Sequence, residues 1–498
     1  MVLIVVLAYL CLLLLISRLV GKKGGNDAFF RANRRSPWWM VAFGMIGASI
    51  SGVTFVSVPG MVMGMDMTYI QTCLGFIVGY FVVAFVLLPL YYKMNLTTIY
   101  GYLRERLGLE AYQTGAGFFV LSKLTSTAVK FYLFCAILQR FVFDEMGVPF
   151  MVTASAMVAL VWLYTRRGGI KTLVWTDTLQ TLCMLVAVCL IIYKVTDELG
   201  FGLMDAAKAV AADSHSRIFV WDDWVSTQNF WKQFVSGVFI VVVMTGLDQD
   251  MMQKNLTCRT LRDAQKDMCT YGFAFVPVNL LFLSLGVLLM MLAAQRGVAL
   301  PTKGDELLPM FAATGGLGET VVVLFTLGMV ATSFSTADSA LTALTTCFCV
   351  DICRKPADER LRRRVFVGMA VLMIILMMLF RWMASGSVID AIYTLVSYTY
   401  GPLLGLFVYA YYRGARSKGK ETRVDSIDER DKKQGFSLVP CLLPLMPCLA
   451  APLLCFGINQ LSQQMWGYRF GYELLMLNGL LTFFGLWLVD KAAVAADS

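Results

Sequence analysis

The sequence predicts an all-α, polytopic membrane protein with thirteen transmembrane helices. Its 498 residues are 58% hydrophobic and only 15% charged, a composition too apolar for a soluble globular domain. Apolar runs of about 20 residues, the length that crosses a bilayer, recur along the whole chain. The predicted spans are 2–20, 39–60, 68–92, 116–140, 149–166, 172–195, 228–250, 270–295, 318–347, 365–384, 388–412, 438–458 and 469–490. Only short loops join them, so we expect a single membrane domain (1–498) without an appended soluble domain.

Basic residues concentrate in alternate loops and so indicate the orientation of the chain. They cluster at 22–35, 93–106, 166–171, 254–266, 354–364 and 413–433. Because lysine and arginine in short loops favour the cytoplasmic side, we expect the N-terminus outside and the C-terminus in the cytoplasm. The expected location is the plasma (inner) membrane. The net charge of +9 follows from this bias and indicates no nucleic-acid partner.

The distribution of reactive side chains argues against an enzyme. The only histidine, His215, falls in an outer loop, and the thirteen cysteines lie mostly inside apolar spans. No zinc or haem spacing is present, so these cysteines are expected to be small buried side chains. A membrane enzyme would need a nucleophile–base pair or a metal cluster, and the sequence contains no such arrangement.

One apolar segment, Leu324–Ile352, carries an unusual set of polar residues at its centre. They are Thr332, Ser333, Ser335, Thr336, Asp338 and Ser339. A carboxylate and several hydroxyls at membrane depth are costly, and such groups usually mark an ion or substrate path. All the ligand atoms are oxygen, which suits a hard cation better than a transition metal. The segment therefore predicts an ion-driven transporter.

Two spans contain stretches that an uninterrupted membrane helix would not have. Residues 44–60 read GMIGASISGVTFVSVPG, and residues 244–254 read MTGLDQDMMQK. Five spans separate the starts of these two segments, which predicts two five-helix halves of inverted topology, each opening with an interrupted helix. Unwound backbone in a membrane persists only where its polar groups are paired, and a bound cation would pair them.

Four sequence blocks fall on the helices expected for a known family. They are RRSPWWMVAFGMIGASISGVTFVSVPG (34–60), RRGGIKTLVWTDTLQ (166–180), GLDQDMMQKNL (246–256) and FSTADSALTALTTCFCVDI (334–352). In these blocks the chain resembles the sodium/solute symporter family, nearest its sialic acid, multivitamin and monocarboxylate branches. The resemblance implies a LeuT-like 5+5 inverted-repeat fold with one extra N-terminal and two extra C-terminal helices. The corresponding parts are 1–37, 38–195, 228–413 and 414–498.

The resemblance implies a sodium site between the interrupted span and the polar segment. Its ligands would be the carbonyl oxygens of Gly47, Ile50 and Thr332 and the hydroxyls of Ser335 and Thr336. Ser335 and Thr336 are adjacent, so both could reach one cation at the edge of the helix. The alternative is that these hydroxyls bond back to the preceding helical turn.

The resemblance also implies a second sodium site, around Asp177 with Ser335, Asp338 and Ser339. The last three residues lie three and four positions apart, on one helical face. Family members in which this second ion is clearest have serine where this chain has Asp338. Two carboxylates could therefore bind the ion more tightly or share a proton. The remaining alternative is a structural Asp177 that pairs with a nearby lysine.

A substrate cavity is implied beside the sodium site. Its expected lining is Ser51, Thr54, Tyr69, Cys73, Lys123, Ser126, Lys130 and Gln249. Sialic acid transporters hold the substrate carboxylate with an arginine at the position of Ser126, and have glutamine at the position of Cys73. Lys123 and Lys130 share a helical face with Ser126 and could supply the missing positive charge. Equally, either lysine could extend to the interface or neutralise Asp177.

The function that follows is sodium-coupled symport by alternating access. We expect import of a small polar organic solute, which could be a sugar, a sugar acid such as sialic acid, or a monocarboxylate. The expected partners are this solute, Na⁺ and the lipid bilayer, with no protein partner evident. Two alternatives are a proton-coupled transporter that uses Asp177 and Asp338, and a solute sensor with the same fold.

Overall fold

A computed structural model shows an all-helical chain. It describes residues 2–21, 25–144, 146–166, 168–224, 226–312, 316–383, 388–416, 438–468, 470–471 and 473–496. The first half contains α1 Val2–Val20, α2 Asn26–Arg31, α3 Trp38–Ser49, α4 Gly52–Met65, α5 Tyr69–Lys93, α6 Gly101–Leu107, α7 Leu109–Leu138, α8 Phe150–Thr165, α9 Ile170–Glu198 and α10 Leu203–Ala212. The second half contains α11 Phe230–Gly246, α12 Gln249–Asn255, α13 Leu261–Arg296, α14 Leu307–Ala312, α15 Glu319–Ile352, α16 Glu359–Met383, α17 Val388–Arg416, α18 Leu438–Trp466 and α19 Glu473–Ala496. Most of the basic loop at 413–433 lies outside the described residues.

Each predicted span falls on a helix or on a pair of bent helices. Within the described residues, eight helices are long and apolar enough to cross a bilayer, and the number rises to ten when each bent pair counts as one span. Ile4–Val20 and Phe150–Thr165 are shorter apolar helices. The structure therefore shows a polytopic helical bundle.

Both interrupted spans bend sharply where the sequence carries its glycine and polar residues. The axes of α3 and α4 differ by 65°, and those of α11 and α12 differ by 72°. Each second half-helix begins with its own N-cap. Ser51 Oγ accepts from the Thr54 amide at 3.3 Å, and Asp248 accepts from the Asp250 amide at 2.8 Å. Because such caps satisfy the free amides of a helix start, the breaks are stable features of the backbone.

The polar segment forms the centre of the molecule. From Val330 to Thr345 in α15, every residue is buried except the half-buried Thr336. A helix buried on all sides has no lipid face, so its hydroxyls and carboxylate must be matched by groups from neighbouring helices. Several of those neighbours contribute to the candidate site.

Glycines allow the two halves to approach closely. A Cβ built on Gly75 of α5 would lie 2.1 Å from the Phe234 carbonyl oxygen of α11. A Cβ built on Gly237 of α11 would lie 2.3 Å from the Thr72 carbonyl oxygen. Membrane helices associate largely through this kind of close backbone packing, since lipid supplies little hydrophobic drive between them.

Replacing Gly237 by alanine is therefore expected to destabilise the bundle. The new methyl group would push α5 and α11 apart, at a cost of about 1–3 kcal/mol. Thermal unfolding of purified protein in detergent measures the effect. Gly117→Ala in α7 is the matched control, because nothing lies within 4 Å of a Cβ built there. Equal melting temperatures for the two variants would contradict the packing argument.

Candidate functional site

The break between α3 and α4 frees backbone oxygens from the helical ladder. The Ile50 amide still bonds to the Ile46 carbonyl at 3.2 Å, and the next ladder bond joins the Phe55 amide to the Ser51 carbonyl at 2.9 Å. Ile50 and Ser51 are extended, with ψ of 92° and 167°. The last carbonyls of α3 therefore lack the intrahelical partners that a continuous helix would provide.

This break lies directly against α15. A Cβ on Gly52 would be 2.1 Å from Ser333 Oγ and 3.5 Å from the Met329 carbonyl oxygen, so the two helices are in close contact here. Ser51 and Gly52 share a small cavity with Ser333 and Thr336. The structure thus places the first break beside Thr336, one of the two candidate hydroxyl ligands.

The two candidate hydroxyl ligands make different hydrogen bonds. Ser335 Oγ donates to Asp177 Oδ1 of α9 at 2.7 Å, whereas Thr336 Oγ1 donates back to the Thr332 carbonyl at 3.0 Å. The bond to the preceding turn, which was the alternative to ion binding, is present at Thr336 but not at Ser335. A hydroxyl that donates one hydrogen bond keeps lone pairs on its oxygen. Both oxygens therefore remain capable of binding a hard cation.

Asp177, assigned to a second sodium site by resemblance, is paired with a lysine. Lys254 Nζ of α12 lies 2.8 Å from Asp177 Oδ2, and the two side chains are 2% and 1% exposed. Lys254 was counted among the cytoplasmic loop residues, and this assignment is wrong. Lys254 lies in the last turn of the short helix α12, which begins just after the second break and is buried. The pairing corresponds to the alternative of a structural aspartate with a nearby lysine.

Asp338 and Ser339, which also belong to the predicted second site, form hydrogen bonds within the protein. Asp338 Oδ2 accepts from the Tyr164 hydroxyl of α8 at 2.5 Å, and Asp338 Oδ1 accepts from Ser339 Oγ at 3.3 Å. Sequence reasoning did not single out Tyr164, because no local pattern links α8 to α15.

A cavity of about 220 Å³ lies between the two breaks. Six of the predicted lining residues contribute to it: Ser51, Thr54, Tyr69, Lys123, Ser126 and Lys130. Two assignments need correction. Cys73 is buried outside the lining, where Thr72 takes part instead. Gln249 faces the loop before α6, where its Oε1 accepts from the Ile99 amide at 2.9 Å.

Two unpredicted carboxylates line the same cavity. Lys123 Nζ lies 2.7 Å from Asp250 Oδ2 and 3.1 Å from Asp248 Oδ2, and the Tyr400 hydroxyl of α17 donates to Asp248 Oδ2 at 2.6 Å. The sequence did contain a signal, because GLDQD places two carboxylates at a helix break inside the membrane.

The two cavity lysines differ in their surroundings. Lys123 is held by both aspartates, whereas Lys130 forms no salt bridge or hydrogen bond to any described residue. Both nevertheless line the cavity. The cavity thus presents a net negative cluster (Lys123, Asp248 and Asp250) and a separate positive charge at Lys130.

Two broken helices that meet at a cavity with charged residues in its lining are typical of ion-coupled transporters. The model of the Sodium:solute symporter family matches residues 29–418, so the chain belongs to that family. It is a sodium-coupled symporter of small organic solutes and not an enzyme, and its coupling ion is Na⁺.

Individual relatives agree with this assignment. The chain is 26% identical to the sodium/sialic acid symporter NanT of Aliivibrio fischeri over 413 residues, which is 78% of this chain and 77% of that protein. It is 24% identical to the sodium/sialic acid symporter SiaT of Proteus mirabilis over 82% of this chain and 84% of that one. The mouse sodium-coupled monocarboxylate transporter 2 is 23% identical over 78% of this chain and 63% of its own.

Solved structures share the fold. A substrate-bound, outward-open Na⁺-coupled sialic acid symporter superposes with a TM-score of 0.78 at 18% identity, covering 98% of this chain and 97% of that one. The closed form of Mhp1, a nucleobase-cation-symport-1 family transporter, gives a TM-score of 0.60 at 14% identity, covering 94% of this chain and 96% of that one.

Lys123→Gln is expected to lower the stability of the protein substantially. It leaves Asp248 and Asp250 without their cation in a buried site, which typically costs about 3–5 kcal/mol. Melting temperature in detergent is the measurement. Lys194→Gln is the control, because the Lys194–Asp197 pair is 43% and 62% exposed and such surface pairs contribute about 0–1 kcal/mol. Similar losses in the two variants would show that the buried cluster does not need Lys123.

Proposed function

We propose that the chain imports a small polar solute with sodium, and that the solute binds in the cavity between the two breaks. One observation carries the proposal, which is that the cavity touches both interrupted spans. Ser51 and Thr54 reach it from the first span, and Asp248 and Asp250 reach it from the second. A solute bound there would contact both halves of the transporter, so its binding can influence their relative movement.

Sodium binding at the first break supports the coupling. We propose as its ligands the carbonyl oxygens of Gly47, Ile50 and Thr332 and the hydroxyls of Ser335 and Thr336. The ion would coordinate the free carbonyl oxygens of α3 and hold them against α15. Since Ser51 and Thr336 both line the solute cavity, an ion at this junction would order the wall of the cavity before the solute binds. Loss of the ion to the cytoplasm would loosen the same wall.

The charges of the cavity favour a sugar acid as solute. The ammonium of Lys130 is available to a carboxylate, and the Asp248–Asp250 cluster can accept hydrogen bonds from hydroxyl groups. A neutral sugar would leave Lys130 without a counter-charge, and a simple monocarboxylate would offer no hydroxyl groups to the remaining acceptor positions of the aspartates. The sialic acid symporters among the relatives act on a solute of this chemical kind.

The topology belongs to the same proposal. We infer thirteen spans, in which 38–195 and 228–413 are the two five-helix repeats, preceded by 1–37 and followed by 414–498. The bends of 65° and 72° at the first helix of each repeat support this division. The alternation of basic loops supports an outer N-terminus and a cytoplasmic C-terminus in the plasma (inner) membrane.

One sodium ion can drive uptake. A tenfold sodium gradient supplies about 1.4 kcal/mol, which supports about tenfold accumulation of the solute. A monovalent sugar acid cancels the charge of the ion, so the membrane potential adds nothing to its transport with one sodium ion. For a neutral solute, the potential would add about 2.3 kcal/mol per 100 mV, and the sum of about 3.7 kcal/mol would support roughly 500-fold accumulation.

Uptake of radiolabelled sialic acid into proteoliposomes separates sodium coupling from proton coupling. With an inward sodium gradient at equal pH on both sides, we expect accumulation that disappears when sodium is replaced by potassium. Uptake that follows an imposed pH gradient without sodium would favour the proton-coupled alternative. Binding without uptake in either condition would favour a sensor.

Loss of both hydroxyls at the first break should abolish sodium dependence. Ser335→Ala combined with Thr336→Ala removes two proposed ligands, so sodium-stimulated uptake should fall to the sodium-free level. The control combines Thr342→Ala with Thr345→Ala, because both hydroxyls bond back to their own helix, at 2.9 and 2.7 Å. Unchanged apparent sodium affinity in the first double variant would refute the site.

Lys130→Gln should weaken the binding of an anionic solute while sparing its neutral analogue. A hydrogen bond to a charged group contributes about 1.5–3 kcal/mol, so the loss should be roughly 10- to 100-fold. Competition by sialic acid and by its methyl ester measures the difference. Lys130→Arg should retain the preference for the acid. Equal losses for both ligands in Lys130→Gln would remove the role in charge recognition.

A further inference from the structure

The buried lysine at Asp177 suggests how many ions this transporter carries. Lys254 Nζ stands 2.8 Å from Asp177 Oδ2, where neither side chain is more than 2% exposed. On the other side of the carboxylate, Ser335 Oγ donates to Asp177 Oδ1 at 2.7 Å. The Asp177 carboxylate is therefore paired with one cation and hydrogen-bonded to one hydroxyl, and both groups belong to the protein.

An ammonium group and a sodium ion compete for the same carboxylate. Each carries one positive charge, and each needs the lone pairs of oxygen atoms. A sodium ion at Asp177 would face the fixed charge of Lys254 in a site that excludes water. Because Lys254 is attached to the backbone of α12, it does not have to be recruited from solution.

The oxygens of Asp338 are engaged in a similar way. One accepts from the Tyr164 hydroxyl at 2.5 Å and the other from Ser339 Oγ at 3.3 Å. Each oxygen of Asp338 therefore has a hydrogen-bond donor from the protein itself, and one of its lone pairs is already occupied.

We propose that Lys254 is a resident cation that takes the place of a second sodium ion at Asp177, so that the protein couples a single sodium ion to each solute. This proposal rests on the proposed function, since it assumes sodium binding at the first break. It assigns Lys254 as the residue that sets the stoichiometry.

The same ion pair would link the ion site to the second broken span. Gln253, the residue before Lys254, donates to Thr346 Oγ1 of α15 at 2.9 Å and to the Phe30 carbonyl at 2.8 Å. The short helix α12 is therefore held to α9 by the ion pair, to α15 by one hydrogen bond and to α2 by another. Lys254 belongs to α12, so its pairing with Asp177 connects that helix to α9, whereas a sodium ion at Asp177 would not.

Counting bound sodium tests the proposal. Binding of ²²Na⁺ to the purified full-length protein, measured to saturation in detergent, should give one ion per chain. Lys254→Met frees the Asp177 carboxylate and should raise the count to two. Lys254→Arg keeps a cation there and should remain at one. The control Lys266→Met, which removes an exposed lysine of α13, should also remain at one.

The outcomes distinguish this proposal from the proposed function. Two ions bound to the wild type would overturn the role of Lys254 and leave sodium symport intact. No bound sodium in the wild type would refute the sodium site itself, and the present proposal with it. A count of one in folded Lys254→Met would show that Lys254 does not exclude a second ion. If Lys254→Met does not fold, the wild-type count decides, and Lys254→Met with Asp177→Asn, a neutral pair, should bind one ion.

Discussion

The buried ion pair between Asp177 and Lys254 is the constraint on which the arrangement of the site depends. A carboxylate at this depth is unfavourable unless it is paired, so the three helices that meet there have little freedom to separate. Gly44 of α3 approaches the same point, where a Cβ would lie 3.0 Å from Asp177 Cβ. The first broken span is thereby packed against the ion pair, a few residues before its break.

The position of this pair explains why one helix can serve two purposes. Ser335 donates to Asp177, and its neighbour Thr336 lines the cavities at the first break. One residue step along α15 therefore separates a fixed internal cation from the proposed place of a mobile one. The fixed charge stabilises the scaffold. The ion that we propose at the first break would exchange with solution, and its proposed ligands include backbone oxygens that the bend frees from the helical ladder.

Some elements could be predicted because they depend on local properties of the chain. Apolar length located the helices, and the glycine and polar residues of 44–60 and 244–254 located both bends. Lys254 and Gln249 could not be placed in this way. Local charge patterning assigned Lys254 to a loop, yet the second bend turns α12 inward and buries it against a residue of a distant helix. Gln249 likewise faces a distant loop backbone, and no local pattern reports such a contact.

The amino-acid sequence is sufficient to identify a helical membrane protein with two interrupted spans and an oxygen-rich central helix. These properties follow from hydropathy and from the cost of polar groups in lipid, which act on short segments. The pairing of the buried polar groups, by contrast, is visible only in the packed bundle. In the bundle Asp177 pairs with Lys254, and Asp338 accepts a hydrogen bond from Tyr164. Lys123 pairs with the two cavity aspartates, whereas Lys130 lines the cavity. Pairing of buried charges depends on distances between helices far apart in sequence, and those distances arise only when the bundle packs.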